Sequence, residues 1–64
     1  MKHTYIIEIT STDDTRDAYL RNSGLNLLRE RFHNDQEAED FVASLNSTSA
    51  FKAYNETAIV RDTY

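Results

Sequence analysis

The 64-residue chain has no cysteine, no proline, no tryptophan and a single glycine. Without cysteine there is neither a disulfide staple nor a thiolate metal site. The two histidines, His3 and His33, are too few for a histidine-based zinc site. No cofactor and no metal is therefore expected. One glycine, Gly24, does not make the glycine-rich loop that cradles phosphates. Lysine is scarce, with only Lys2 and Lys52, and acids outnumber bases 11 to 7 for a net charge of −4. General nucleic-acid binding needs the opposite excess. No apolar run is long enough to span a membrane. The opening Met1–Thr10 has Glu8 inside its apolar stretch and does not read as a signal peptide. The expected setting is soluble and cytoplasmic. There, Asn46-Ser47-Thr48 and Asn55-Glu56-Thr57 match the glycosylation triplet only by accident.

What is present is organised around residues 34–46. Ala38, Phe41, Val42 and Leu45 recur at i, i+3, i+4 and i+7, the spacing of one helical face. Asn34 is a good N-cap, with Glu37 three residues on as in a capping box. Asn46 offers a left-handed stop before Ser47-Thr48-Ser49. Ahead of this helix, Thr4–Thr10 is β-branched or aromatic and alternates, with Tyr5, Ile7 and Ile9 on one face. Leu25–His33 fits either period. A strand is preferred, since a lone helix needs at least three strands to cover. Thr57–Arg61 is the best strand of the last extended region, Phe51–Asp62, and Phe51–Tyr54 is either continuous with it or a separate short strand broken off at Asn55-Glu56. Residues 14–24 are read as a hairpin arm or irregular loop turning at Asn22-Ser23-Gly24. The alternative is a short helix capped by Asp13 or Asp14 and stopped by Gly24.

The assembled expectation is one α+β domain over residues 1–64. It is a small antiparallel sheet of three to four strands with one amphipathic helix on one face, in the order β-(β)-β-α-β. Its core would be Tyr5, Ile7, Ile9, Leu28, Phe32, Ala38, Phe41, Val42, Leu45, Ala58 and Val60, with Phe41 at the centre. So short a chain sits near the lower limit for folding alone. A homodimer through the open sheet face or the 57–61 edge would add buried area.

No catalytic motif stands out. His33 with Asp35 is the nearest approach to an acid–base pair, and a residue packing at the helix entry accounts for it as well. The chain is therefore expected not to be an enzyme. Two surfaces draw attention instead. The outer face of the helix carries Asp35, Gln36, Glu39 and Asp40. Residues 34–46 hold four acids and no base, so this segment alone generates the net charge. The helix dipole accounts for Asp35 and Glu37, in the first turn, but less well for Glu39 and Asp40. The second surface is the sheet face away from the helix, with Ile6, Leu27 and Ile59 amid Arg29, Arg31 and Arg61. An apolar centre with an arginine rim has the composition of a protein–protein interface. RNA recognition would want stacking aromatics there, and the central strands offer none.

The opening Met1-Lys2-x-x-Tyr5-Ile6-Ile7, on a tiny acidic cysteine-free α+β chain, resembles small phage-encoded inhibitor proteins, including some of the anti-CRISPR kind. The resemblance covers the strand-then-helix order and those opening residues. It implies a non-enzymatic protein that blocks a larger host machine by occupying its surface, and it assigns no functional residue. The function expected from the sequence is thus a small acidic inhibitor or regulator. It would meet a basic surface on a larger host protein through its acidic helix face. The alternative is a dimeric nucleic-acid-binding regulator using the arginine-bearing sheet face.

Overall fold

The computed structural model describes residues 1–63, apart from the side chains of residues 62 and 63. The elements are β1 (His3–Ser11), α1 (Asp14–Ser23), β2 (Leu27–Phe32), α2 (Asp35–Asn46), α3 (Ser49–Ala53) and β3 (Glu56–Thr63). The three strands form one antiparallel sheet in the order β2-β1-β3. This is the expected α+β architecture, with three helices rather than one.

β1 takes the centre because it is the only strand apolar enough to be covered on its core face and flanked on both sides. Tyr5, Ile7 and Ile9 are buried, Ile7 completely. Ala38 and Val42 of α2, Leu20 of α1 and Ala58 of β3 close over them. Leu28, Phe32, Phe41, Leu45, Phe51 and Val60 pack around this cluster half-buried. Phe41 is therefore at the margin of the core, not its centre. α2 lies mainly along β3 and turns Ala38 and Val42 inward. Phe41 is left to stack at 5.3 Å on Phe32 of edge strand β2, which meets Tyr5 edge-on at 5.7 Å.

Residues 14–23 are a helix, not a hairpin arm or loop. Its apolar content is slight, but both ends are well made. The Asp13 carboxylate accepts from the Arg16 N–H, and Gly24 adopts the left-handed conformation at φ 74°. Arg21 and Asp17, one turn apart, join at 2.9 Å. Leu20 is its single buried anchor. Residues 51–54 are not a strand either. Thr48 caps α3 by accepting from the Phe51 N–H, so the Ser47-Thr48-Ser49 stretch starts a helix as well as ending one.

Asn46 is not a left-handed stop. It is the last residue of α2, and the positive φ falls at Asn55 (φ 54°), the turn into β3. The Asn46 carboxamide does something else. Its oxygen accepts from the Ala58 N–H at 2.8 Å and its nitrogen donates to the Ala58 C=O at 3.1 Å. Those two backbone groups point away from β1, along the free edge of β3. The side chain thus satisfies the edge at its middle as another strand would. Further along, a β-bulge shifts the register. Ile7 faces Val60 but Ile6 faces Asp62, so Arg61 is the extra residue.

Candidate interaction surfaces

The N-terminus of α2 gathers more than a helix cap. Asn34 accepts from the Glu37 N–H at 2.9 Å, and Glu37 reaches back to the backbone N–H of His33 at 3.3 Å. The same carboxylate lies 3.2 Å from the His33 ring Nδ1. The histidine therefore pairs with Glu37, one turn along, and not with Asp35. Asp35 is turned toward the core instead and accepts from the buried Tyr5 hydroxyl at 2.8 Å. Burial of the ring, then this hydrogen bond, then the nearby carboxylates of Asp35 and Glu37 raise the Tyr5 pKa above its ordinary 10.0.

Asp35, Gln36, Glu39 and Asp40 are all exposed on one side of α2, as the spacing requires. Gln36 donates to Asp40 at 2.9 Å across one turn. Asp35, Glu39 and Asp40 form no ion pair among the described residues, whereas Glu8, Asp17 and Glu56 meet Arg61, Arg21 and Arg16, and Glu37 lies beside the His33 ring. In the Asp17 pair, the Arg21 hydrogen bond, helped by the Ser11 N–H, holds the carboxyl below its ordinary 3.8.

On the far side of the sheet the register sets side chains opposite one another. Arg31 lies across from Thr4, Arg29 from Ile6 and Leu27 from Glu8, which is flanked on its other side by Ile59. Leu27 and Ile59 are 40% and 49% exposed, but Ile6 is only 7% exposed, so it is not part of the open surface. It sits mid-strand, with Arg29 opposite it on β2 and the Arg61 bulge beside it on β3. Glu8, reached by Arg61 at 3.4 Å, divides Leu27 from Ile59. Arg29 and Arg31 are exposed and form no ion pair among the described residues. The expected apolar centre thus loses Ile6 but keeps Leu27 and Ile59, parted by Glu8, with Arg29 and Arg31 exposed on the same face.

A third feature escaped sequence reasoning. Arg16 of α1 is held by the Glu56 carboxylate at 3.3 Å, and the side chain of Glu56 is only 4% exposed. Its guanidinium lies 4.1 Å from the centre of the Tyr54 ring and 4.9 Å from that of Tyr19. Asp13, Thr15, Arg16, Tyr19 and Tyr54 line an open groove of about 340 Å³ there. Arg16 and Tyr19 are neighbours only if residues 14–23 are helical, and Tyr54 arrives from more than thirty residues away. The cluster clamps α1 to the turn before β3, and its cation already occupies the space between the two rings.

Among the described residues no three histidine, aspartate or glutamate side chains come together as metal ligands, and no helix is long and apolar enough to cross a membrane. No protein-family model, curated protein or solved structure matches the chain.

Proposed function

We propose that the protein is a non-catalytic binding protein, an inhibitor or regulator of the phage counter-defence type, and that it meets a basic surface on a larger host protein through the outer face of α2. The observation that carries this reading is the unbalanced charge of that face. Asp35, Glu39 and Asp40 stand exposed together on one helix face and form no ion pair among the described residues, whereas Glu8, Asp17 and Glu56 each meet an arginine. Like charges one turn apart on a helix repel by a few tenths of a kcal/mol, on the order of 0.2–0.5. Opposed positive charge on a partner turns that cost into attraction and faster encounter. Asp35 is anchored to the core by Tyr5, so the charges presented outward are Glu39 and Asp40, the latter steadied by Gln36.

The test is a comparative capture from host lysate. Wild-type protein, the Glu39→Gln/Asp40→Asn variant and a control at an exposed acid outside both surfaces, Asp14→Asn, are immobilised side by side. A protein retained by wild type and by the control, but lost on the α2 variant, supports the reading. Equal retention on all three removes it. The arginine pair Arg29 and Arg31 supports the nucleic-acid alternative; binding of DNA or RNA that falls steeply with salt and is lost in Arg29→Gln/Arg31→Gln would favour it over the first.

A further inference from the structure

The two edges of the sheet are finished differently. At the β3 edge, the Asn46 carboxamide occupies both outward backbone groups of Ala58, and the Arg61 bulge interrupts the ladder beyond it. At the other edge, β2 pairs with β1 on one side and packs against α2 on the core face. The Ile9 N–H donates to the Asn26 C=O at 2.7 Å, which shows that odd residues of β1 present their backbone groups to β2. By the alternation of an antiparallel ladder, Leu28, Glu30 and Phe32 are the β2 residues bonded to β1. The N–H and C=O groups of Leu27, Arg29 and Arg31 then point outward along the free edge.

Side chains along that edge alternate in charge as well as in face. Arg29 and Arg31 stand exposed on the far face, and Glu30 stands exposed between half-buried Leu28 and Phe32 on the core face. Charges on an edge strand discourage indiscriminate pairing. They discourage self-pairing in particular. A second copy of β2 added antiparallel, with its core face continuing the first, sets Arg29 opposite Arg29 or opposite Arg31. Like charges directly across a ladder are destabilising. A strand of complementary order meets no such obstacle.

We infer that the β2 edge is a docking site for an extended segment of another protein, which adds to the sheet antiparallel and carries the order apolar–acidic–basic–acidic–apolar. The two acids face Arg29 and Arg31, the base faces Glu30, and the apolar residues extend the half-buried rim at Leu28 and Phe32. Main-chain hydrogen bonds supply affinity and the charge order supplies selectivity. This surface is separate from the acidic face of α2 and stands or falls independently of it.

The probe is a synthetic peptide, Thr-Val-Glu-Lys-Glu-Val-Thr, with Thr-Val-Lys-Glu-Lys-Val-Thr as its charge-inverted control. Titration of the full chain is followed by amide chemical shifts and hydrogen exchange. The first peptide is expected to slow exchange at Leu27, Arg29 and Arg31, and to bind about tenfold more tightly than the control. In the variant Arg29→Glu/Glu30→Arg/Arg31→Glu, whose changes are all at exposed positions, the preference is expected to invert. No protection at those three amides at millimolar peptide, equal binding of both peptides, or an unchanged preference in the variant would each overturn the inference. So would sedimentation of the free protein as a dimer with those amides already protected, since a second copy would then hold the edge.

Discussion

Tyr5 joins the core to the N-terminus of α2 through one hydrogen bond. Its hydroxyl donates to Asp35, and its ring is 2% exposed. The pKa is raised by burial first and by the Asp35 bond second, above 10.0. The folded state therefore holds its proton more tightly than the unfolded chain. Stability from this group is complete below pH 10 and is lost as pH rises from there through the folded-state value. Asp17 has the opposite sign: its stabilisation is present above 3.8 and is lost as pH falls through its depressed folded value. Melting temperature against pH should fall at both ends. Tyr5→Phe should flatten the alkaline limb and Asp17→Asn the acid limb. A variant that leaves its limb as steep as wild type would mean the group does not titrate with folding.

Arg16 is the other residue with leverage beyond its own element. It bonds a nearly buried Glu56 carboxylate and rests on two tyrosine rings. Removing the cation strands that carboxylate, whereas removing both charges together does not. A double-mutant cycle of Arg16→Met and Glu56→Gln should show a coupling of about 1–3 kcal/mol, read from denaturant midpoints. A coupling near zero would make the pair an incidental surface contact.

At the scale of elements, legibility followed how much of each element's stabilisation is local and periodic. α2 was readable because its apolar stripe and Asn34 cap both lie in sequence. β1 was readable because Tyr5, Ile7 and Ile9 alternate; β2, where Leu28 and Phe32 fit either period, was legible only through the need of α2 for a sheet to cover. α1 was read toward a hairpin because it buries one side chain, Leu20, and relies on the Asp13 cap, the Gly24 stop and the Asp17–Arg21 pair. α3 is five residues long, too short for periodicity to register. Ile6 and Asn46 were misread for a different reason. Ile6 is buried on the face that alternation assigns to solvent, and the bonds of Asn46 reach twelve residues along the chain. Neither leaves a local signature.

The Asn46 clamp makes its own prediction. Asn46→Ala removes two hydrogen bonds, a loss of about 1–3 kcal/mol at the usual 0.5–1.5 each. For a domain this small each kcal/mol lowers the melting midpoint by roughly 4–8 °C. It also frees the N–H and C=O of Ala58 at the β3 edge, so concentration-dependent association should appear in sedimentation velocity. Asn46→Asp keeps the acceptor for the Ala58 N–H and loses the donor, and should fall between the two. A destabilised Asn46→Ala protein with unchanged association would make the amide a tether for α2 alone.

The whole molecule is a thin slab, its backbone spanning 38 × 23 × 12 Å. The helices cover one face of the sheet, so the acids of α2 and the arginines of β2 lie on opposite broad sides. That separation was legible in the sequence, since the charges of residues 34–46 and the face of Arg29 and Arg31 follow from helical and strand spacing. The composition of each face was less so. Burial of Ile6 shrinks the apolar centre expected behind the sheet and Glu8, paired with Arg61, divides the Leu27 and Ile59 that remain, while the Tyr5 bond draws Asp35 partly out of the acidic set. What stays available for steering a basic partner is Glu39 and Asp40.

The most direct test of that claim is the association rate with the captured partner, measured against ionic strength for wild type and for Glu39→Gln/Asp40→Asn. Both side chains are exposed, so helix content and melting should hardly change. The wild-type rate should fall as salt rises, because exposed charges are screened over about 8–10 Å at 0.1–0.15 M. The variant should associate more slowly at low salt and lose most of that salt dependence, with dissociation little altered. Identical rates and identical salt slopes for the two proteins would contradict the account and leave the outer face of α2 as solvated surface only.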